Sequence, residues 1–279
     1  MPIASMNEQT QRISAESLSS RLDVTNSRDE VGRLAATINA LLTRLEESFK
    51  EQQRFVADAS HELRTPLAVL RGETEIALSK TRNIDEYQES LSLINEEAER
   101  LSRIVEDLFI LARQPIDAPH VLEKQPLSLN ETIKDCARAA HVLASRKGVR
   151  LVAENGSPSI VLNGDEDLLK RMILNLLDNA VKYTPVGGDI SVELKRQNGN
   201  ARIVVRDTGI GIPPNDQMHV FDRFYRVDKA RSRAQGGAGL GLSIVQWIVD
   251  AHEGKITVDS EPGVGTKFTI DLPLQETFK

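Results

Sequence analysis

His61 is followed directly by Glu62 and, one helical turn on, by Thr65, in the run FVADASHELRTPL at 55–67. An imidazole next to a carboxylate is a nucleophile with a proton acceptor at hand. Glu62 can take the Nδ1 proton and so sharpen Nε2. Apolar positions Phe49, Val56, Ala59, Leu63, Leu67 and Leu70, with Gln52 among them, form one helical seam. At 100° per residue, His61 lies about 200° from Leu63 and about 140° from Val56, so its ring is expected to face water. An exposed imidazole is largely uncharged and nucleophilic near neutral pH. Pro66 lacks the N–H that would bond the Glu62 carbonyl and its ring pushes against that carbonyl, which predicts a bend beside the histidine. Alone, an exposed histidine is ordinarily a surface residue; its surroundings decide.

Three further patches have chemistry in common. Asn175 and Asn179 are four apart in the run NLLDNAVKYT at 175–184, so their amide oxygens can converge on one helix face. Hard oxygen ligands of this kind suit Mg²⁺ held against phosphates, and Lys182 near the helix end can reach a phosphate. The same residues can also be the polar decoration of an amphipathic helix whose Leu174 and Leu177 go inward. Asp207, in DTGIGI at 207–212, follows a Val-rich stretch; a carboxylate there can accept from an exocyclic amino group such as that of adenine. Gly209 and Gly211 let the backbone pass close to a planar ligand, although Asp-x-Gly-x-Gly is also an ordinary turn. GGAGLGL at 236–242 runs straight into a helical pattern, where glycines expose N–H groups to an anion and the helix dipole adds attraction. It lacks the Gly-Lys-Ser/Thr of a Walker A loop and the parallel βαβ context of a dinucleotide fingerprint. Between the second and third patches, about 212–236, a polar stretch with Phe221, Phe224, Tyr225, Arg226, Lys229, Arg231 and Arg233 reads as a lid over bound nucleotide.

These groups need a scaffold, and the hydrophobic pattern supplies one. Residues up to about 113 are helical in period. Val31, Leu34, Ile38, Leu41 and Leu45 form one seam, which meets the seam from Phe49 through two successive steps of four, a stutter. A phase change there is expected to alter the bend at Pro66. A third seam runs through Tyr87, Leu91, Ile94, Ala98, Leu101, Val105, Leu108 and Ala112, and a polar stretch at 79–85 turns the chain back between the last two. Two single-striped helices bury little alone, so an antiparallel hairpin pairing with a second copy into a four-helix bundle is expected; a monomeric hairpin packed on the rest of the chain is the alternative. Three prolines at 114–126 mark a linker. From 127 to 279, helical patterns near 129–145, 165–183 and 240–252 alternate with strand-like runs near 149–153, 189–197, 201–207, 255–260 and 266–272. That is an α/β sandwich with helices on one face of a mostly antiparallel sheet.

The 61–66 sequence HELRTP and the three patches, with the stretch between the second and third, resemble in this order the two-component sensor histidine kinases, over roughly 50–275. The resemblance implies an α+β chain: a dimerisation and phosphoacceptor hairpin at 51–113, then a catalytic ATP-binding sandwich of the type shared with gyrase, Hsp90 and MutL. It implies that His61 takes a phosphoryl group from ATP and passes it to an aspartate of a response regulator receiver domain. Glu62 is then the acid/base helper, and Thr65 positions water for removing the partner's phosphoryl group. It further implies Asn175 and Asn179 at Mg²⁺, Lys182 and Tyr183 near the phosphates, Asp207 at adenine with Gly209 and Gly211, and Gly237, Gly239, Leu240, Gly241 and Leu242 around the phosphates. Residues 1–50, with Ile3, Met6, Thr10 and Ile13 at heptad steps, Leu22 and Val24 in a loop, and a second helix from Asp29, resemble a HAMP linker. A plain coiled-coil extension is the competitor. The HAMP likeness implies a membrane anchor in the whole protein and a trimmed start at Met1.

Composition fits this. Apolar residues are 40%, enough for a core, and aromatics only 4%, too few for a base-stacking surface. The net charge of −6 gives no support for nucleic-acid binding. Cys136 is alone, so no internal disulfide is possible, and it is expected as a small buried residue. No run reaches the roughly 18 apolar residues of a membrane span, and no signal-peptide core follows Met1. A nucleotide-binding scaffold and a gyrase- or Hsp90-type ATPase remain rival readings of the sandwich; both leave the His61 run unexplained.

Overall fold

The structure is a computed structural model that describes residues 19–23, 30–112, 122–154, 159–227 and 238–274. The chain divides into two compact units, residues 1–65 and 66–279, and helix α1 (Glu30–Ser79) contributes to both.

In the first unit, residues 19–23 are strapped to α1. The Leu22 N–H donates to Asn39 Oδ1 at 2.8 Å and Asn39 Nδ2 donates back to the Leu22 carbonyl at 3.0 Å, with the Leu22 side chain buried. Arg21 reaches Thr43 Oγ1 and Glu46 on the same helix. Lys50 and Arg21 hold the Glu46 carboxyl below its usual range. The heptad positions expected from Ile3 to Ile13, and Val24, lie outside the described residues. Leu34, Leu41 and Leu45 of the predicted seam are each more than half exposed in the single chain.

In the second unit, α1 continues without interruption through Pro66 to Ser79, and α2 (Ile84–Ala112) follows. Asn83 and Glu86 start α2 as a reciprocal cap: the Glu86 N–H donates to Asn83 Oδ1, and the Asn83 N–H to Glu86 Oε2. A cleft of about 590 Å³ lies where the helices turn, lined by Ala77, Leu78, Tyr87, Leu91 and Ile94 among others. The buried apolar residues of α2 are Ile104 and Leu111, seven apart, and α2 packs on α6 (Gly241–Ala251). Neither belongs to the seam expected from sequence, in which Leu91 and Val105 stay exposed. The helix has a second working face that the first stripe masked.

The sandwich begins with β1 (Gln125–Ser128), which takes the last two residues of the stretch read as linker. Its antiparallel partner is β3 (Val161–Gly164); neither strand was expected, each being four residues long. Between them lie α3 (Leu129–Lys147), closed by Gly148 at φ 73°, and β2 (Arg150–Glu154). Then come α4 (Glu166–Tyr183), β4 (Asp189–Gln197), β5 (Asn200–Asp207), a single turn α5 (Pro214–Gln217), α6, β6 (Lys255–Glu261) and β7 (Gly265–Pro273). The five-stranded sheet has order β2-β4-β5-β7-β6; only β2 and β4 run parallel. Alternate residues Ile190, Val192, Leu194 and Ala201, Ile203, Val205 are buried, as period-two strands with one covered face require. Opposite them lie Leu169, Ile173, Leu176 and Leu177 of α4 and Ile244 and Ile248 of α6. Cys136 is buried in α3, where burial raises its thiol pKa to about 11.

His252 fastens α6 to the start of α4. Its Nε2 accepts from the Asp165 N–H at 3.1 Å, so Nδ1 carries the proton and donates to the Ile248 carbonyl at 2.8 Å. Asp165 in turn caps α4 through the Leu168 N–H. A second proton on the ring would break the Asp165 bond inside a buried site, and burial lowers the imidazole pKa below its ordinary value. The unfolded chain therefore binds the extra proton first as pH falls. This contribution is complete above about 6.5 and is lost as pH drops from there towards the folded-state value. Urea unfolding of the full chain between pH 7.5 and 5 should show stability falling with acid, with a shallower fall in His252→Gln; equal slopes would refute the assignment.

Candidate functional site

His61 is exposed on α1, and Glu62 beside it is half-buried. Thr65 is exposed one turn on, and its hydroxyl donates to the His61 carbonyl at 3.4 Å. Pro66 is buried. The nucleophile, its neighbour and the hydroxyl thus share a short solvent-facing stretch of a continuous helix.

The second unit brings three sequence-distant segments together. Asn175 lies halfway along α4 and donates through Nδ2 to the Gly241 carbonyl at 3.3 Å, at the start of α6. Two turns on, the Tyr183 carbonyl accepts from the Ile210 N–H at 3.2 Å, in the turn after β5. Lys147 of α3 donates to the Val181 and Lys182 carbonyls at 2.8 and 2.7 Å, satisfying the last turn of α4 and fixing its end. Helix α4 therefore touches both the Asp207 turn and the glycine segment, and all three patches border one site.

Asp207 ends β5 with only 8% of its surface exposed. Its Oδ1 accepts from the Gly209 N–H at 2.8 Å. Burial pushes its carboxyl pKa up, while the Gly209 and Thr266 N–H groups pull it down. Such a carboxylate is a fixed acceptor in a dry pocket and suits an amino-group donor. The glycines after it serve protein packing. A Cβ on Gly209 would lie 2.6 Å from Asp207 Oδ1 and 2.8 Å from the Tyr183 carbonyl oxygen. Gly211, at φ 70°, would place one 2.1 Å from the Glu261 carbonyl oxygen in the β6–β7 hairpin. Gly211→Ala combines a left-handed backbone with a backbone clash and should cost roughly 2–4 kcal/mol of stability in urea titration. A variant as stable as the parent would contradict this packing.

At the other side, Gly239 (φ 75°) accepts from the Phe224 N–H at 2.9 Å, and a Cβ on it would meet the Phe224 backbone at 2.8 Å. Leu240 is buried, and Gly241 and Leu242 are half-buried at the first turn of α6. Gly237 and residues 228–236 of the expected lid lie outside the described residues. The lid's root is built around Tyr225, whose hydroxyl donates to Asp216.

Lys182 is half-buried with its ammonium 5.3 Å from the centre of the Tyr183 ring. Burial lowers its pKa, and the charges of Arg226 and Arg100 lower it further. Cations gathered at a half-buried point constitute a demand for an anion. Arg100, on α2, was not singled out from the sequence. Its signal there was faint: Arg100, Arg103 and Asp107 form a charged stripe opposite the apolar seam. Asn179 is half-buried on the same side of α4 as Asn175. Because the Asn175 amide nitrogen is committed to Gly241, its oxygen is the atom left for a cation, and amide oxygens fit Mg²⁺.

Comparison with known proteins follows the same segmentation. Residues 2–47 match the HAMP domain, residues 51–115 the His Kinase A (phospho-acceptor) domain, and residues 164–276 the histidine kinase-, DNA gyrase B- and HSP90-like ATPase family. Sensor histidine kinase CusS of Escherichia coli K12 is 37% identical over 272 residues, 98% of this chain. The chain belongs to the sensor histidine kinases. Another member of the family, the signal transduction histidine-protein kinase ArlS of Staphylococcus haemolyticus, is 34% identical over 96% of the chain. This sensor kinase chain spans 56% and 59% of the length of those two relatives. Full-length ShkA in complex with AMPPNP is similar in structure, with TM-score 0.60 and 26% identity over 80% of this chain and 46% of that one. Among the described residues, no helix of this family member is long and apolar enough to cross a membrane.

Proposed function

We propose that this chain is an ATP-dependent protein-histidine kinase that phosphorylates His61 and passes the phosphoryl group to an aspartate of a response regulator receiver domain. What carries the reading is the convergence of Asn175, Asp207 and the Gly239–Gly241 segment on one site, in a chain that also exposes His61 beside Glu62. The amino group of adenine is assigned to Asp207, and the phosphates to Lys182, Tyr183 and the backbone at 237–242. The AMPPNP held by ShkA accords with a nucleotide of this kind.

In the reaction, Nε2 of His61 attacks the γ-phosphorus while the bond to the β-phosphate oxygen breaks and ADP leaves. Glu62 accepts the Nδ1 proton as positive charge develops on the ring. Positioning and charge neutralisation supply most of the rate in such transfers. Asn175 and Asn179 would hold Mg²⁺ through their amide oxygens, and the ion's chemistry is to screen the phosphate charge. Thr65, on the same face as His61, orients water in the reverse duty of removing the partner's phosphoryl group.

The exposed seam residues of α1 and α2 and the cleft beside Tyr87 and Leu91 support a homodimer, in which a second hairpin covers them. The working division is a HAMP-like piece at 1–50, the hairpin at 51–113, a linker at 114–126 and the ATP-binding domain from 127. The whole protein is assigned to the inner membrane, with this portion on the cytoplasmic side.

Incubating the chain with γ-labelled ATP and Mg²⁺ tests the reading. Acid-labile, alkali-stable label on the protein, transferable to a receiver domain, is the expected result. Steady phosphate release with no phosphoprotein would establish the ATPase reading in its place.

A further inference from the structure

Helix α2 and helix α4 each carry a row of charges and are joined at one end of it. On α4, Arg171, Asp178 and Lys182 fall within about 40° of one another around the axis, and Asn175 lies beside them. On α2, Arg100, Arg103 and Asp107 share a face in the same way, within about 60°. The helices present these rows in opposite directions. At one end, Arg171 grips α2 with both arms of its guanidinium: Nη2 lies 2.5 Å from Asp107 Oδ1 and Nη1 3.1 Å from Glu106 Oε2. The Arg171 and Asp107 side chains are 27% and 16% exposed, so water screens this pair less than a surface bridge. In the middle, the Arg103 charge acts on Asp178 and on Asp107. At the far end the pattern reverses, because the Arg100 charge acts on Lys182 and like meets like. The Arg100 side chain is only 17% exposed; Nη1 lies 3.5 Å from Glu97, and its buried Nε has no hydrogen-bond partner among the described residues.

The unlike rungs hold while the last one repels, and the last one sits on the residue assigned to the phosphates. We propose that α2 is a docking rail for the ATP-binding domain, with Arg171 as its fixed clamp and Arg100 as a positioning residue whose rung closes only when nucleotide phosphate lies between it and Lys182. A triphosphate supplies the missing anion, turning one repulsive pair into two attractive ones. Docking on α2 and nucleotide binding then reinforce each other, each favouring the other by the same factor. Ile104 and Leu111 are buried and α2 packs on α6, a seating that does not depend on charge, so the row sets strength and nucleotide dependence. This inference rests on the nucleotide reading of the site.

Hydrogen exchange of α2 amides 100–111 in the full chain, with and without AMPPNP and Mg²⁺, tests it; calorimetry on the same samples reads analogue binding. In the parent, the analogue should slow exchange by about fivefold. Arg171→Glu should lose most of the protection, and adding Asp107→Arg should restore it. Arg100→Glu, which pairs with Lys182 directly, should protect α2 without nucleotide and abolish the response to it. If the analogue binds but α2 exchange does not change, or if Arg171→Glu exchanges like the parent, the rail is refuted while the kinase reading stands. If the analogue does not bind, both fall.

Discussion

His61→Gln is expected to reduce acid-labile labelling of the chain by more than about 100-fold, to the detection limit, because the substitution removes the atom proposed to accept the phosphoryl group. Glutamine retains a polar side chain of similar reach but has no nucleophilic ring nitrogen. His61 is exposed on a helix surface, and surface substitutions of this kind stay within about 0.5 kcal/mol of the parent stability. The nucleotide residues lie on α4, after β5 and at α6, remote in sequence from α1. ATP affinity and unfolding midpoint should therefore match the parent while the label disappears. Label persisting near the parent level in His61→Gln would show that another residue is the acceptor and would end the assignment. Loss of label together with loss of ATP binding would instead indicate a folding defect, which is why both are measured.

The second large effect is expected at Asp207. Asp207→Asn keeps the shape, and its remaining oxygen can still accept from the Gly209 N–H at the position now 2.8 Å away. What changes is the other end of the group. An NH₂ replaces a carboxylate oxygen, and a donor then faces the amino group of adenine inside a pocket where water does not compensate. A buried donor left without an acceptor costs about 1–3 kcal/mol, and the lost charge-assisted bond adds to it. ATP affinity should fall by roughly 10- to 100-fold. Guanosine and inosine triphosphates, which bear an oxygen where adenine has its amino group, should lose less or gain. Nucleotide titration by fluorescence or calorimetry decides this. Equal loss for all purines would place Asp207 away from the base and leave it as an architectural residue of the β5 turn.

The Gly209 and Gly211 positions show how sequence and structure share the explanation. From sequence, two glycines after a carboxylate permit a ligand to approach. In the structure, the space a Cβ would fill is occupied by the chain itself: the Tyr183 carbonyl at Gly209 and the Glu261 carbonyl at Gly211. The glycines let α4, the β5 turn and the β6–β7 hairpin meet closely, and that meeting holds Asp207 in place. A residue type reports that room is needed, whereas what takes the room depends on segments 26 and 50 residues away. Strands β1 and β3 were illegible for a related reason. Four residues carry too little periodicity, and Pro126 inside β1 is tolerated only because that strand has a single partner.

The sequence by itself determined the candidate chemical groups and the local elements. The order His61-Glu62, Asn175–Asn179, Asp207-x-Gly and the glycines at 236–241 named the groups proposed for the reaction. Apolar periods of 3.5 to 3.6 and of 2 placed the long helices and the five main strands, because both signals are carried by near neighbours. Only the tertiary structure decided which face of α2 is covered, choosing Ile104 and Leu111 over the more regular stripe. It also brought the charges of Arg100 and Arg103 to bear on Lys182 and Asp178 and bound Arg171 to Glu106 and Asp107. Those pairings join residues 64 to 82 positions apart. No periodic rule spans such a distance, since the sign and place of a charge contact follow from how two helices pack and not from either helix alone.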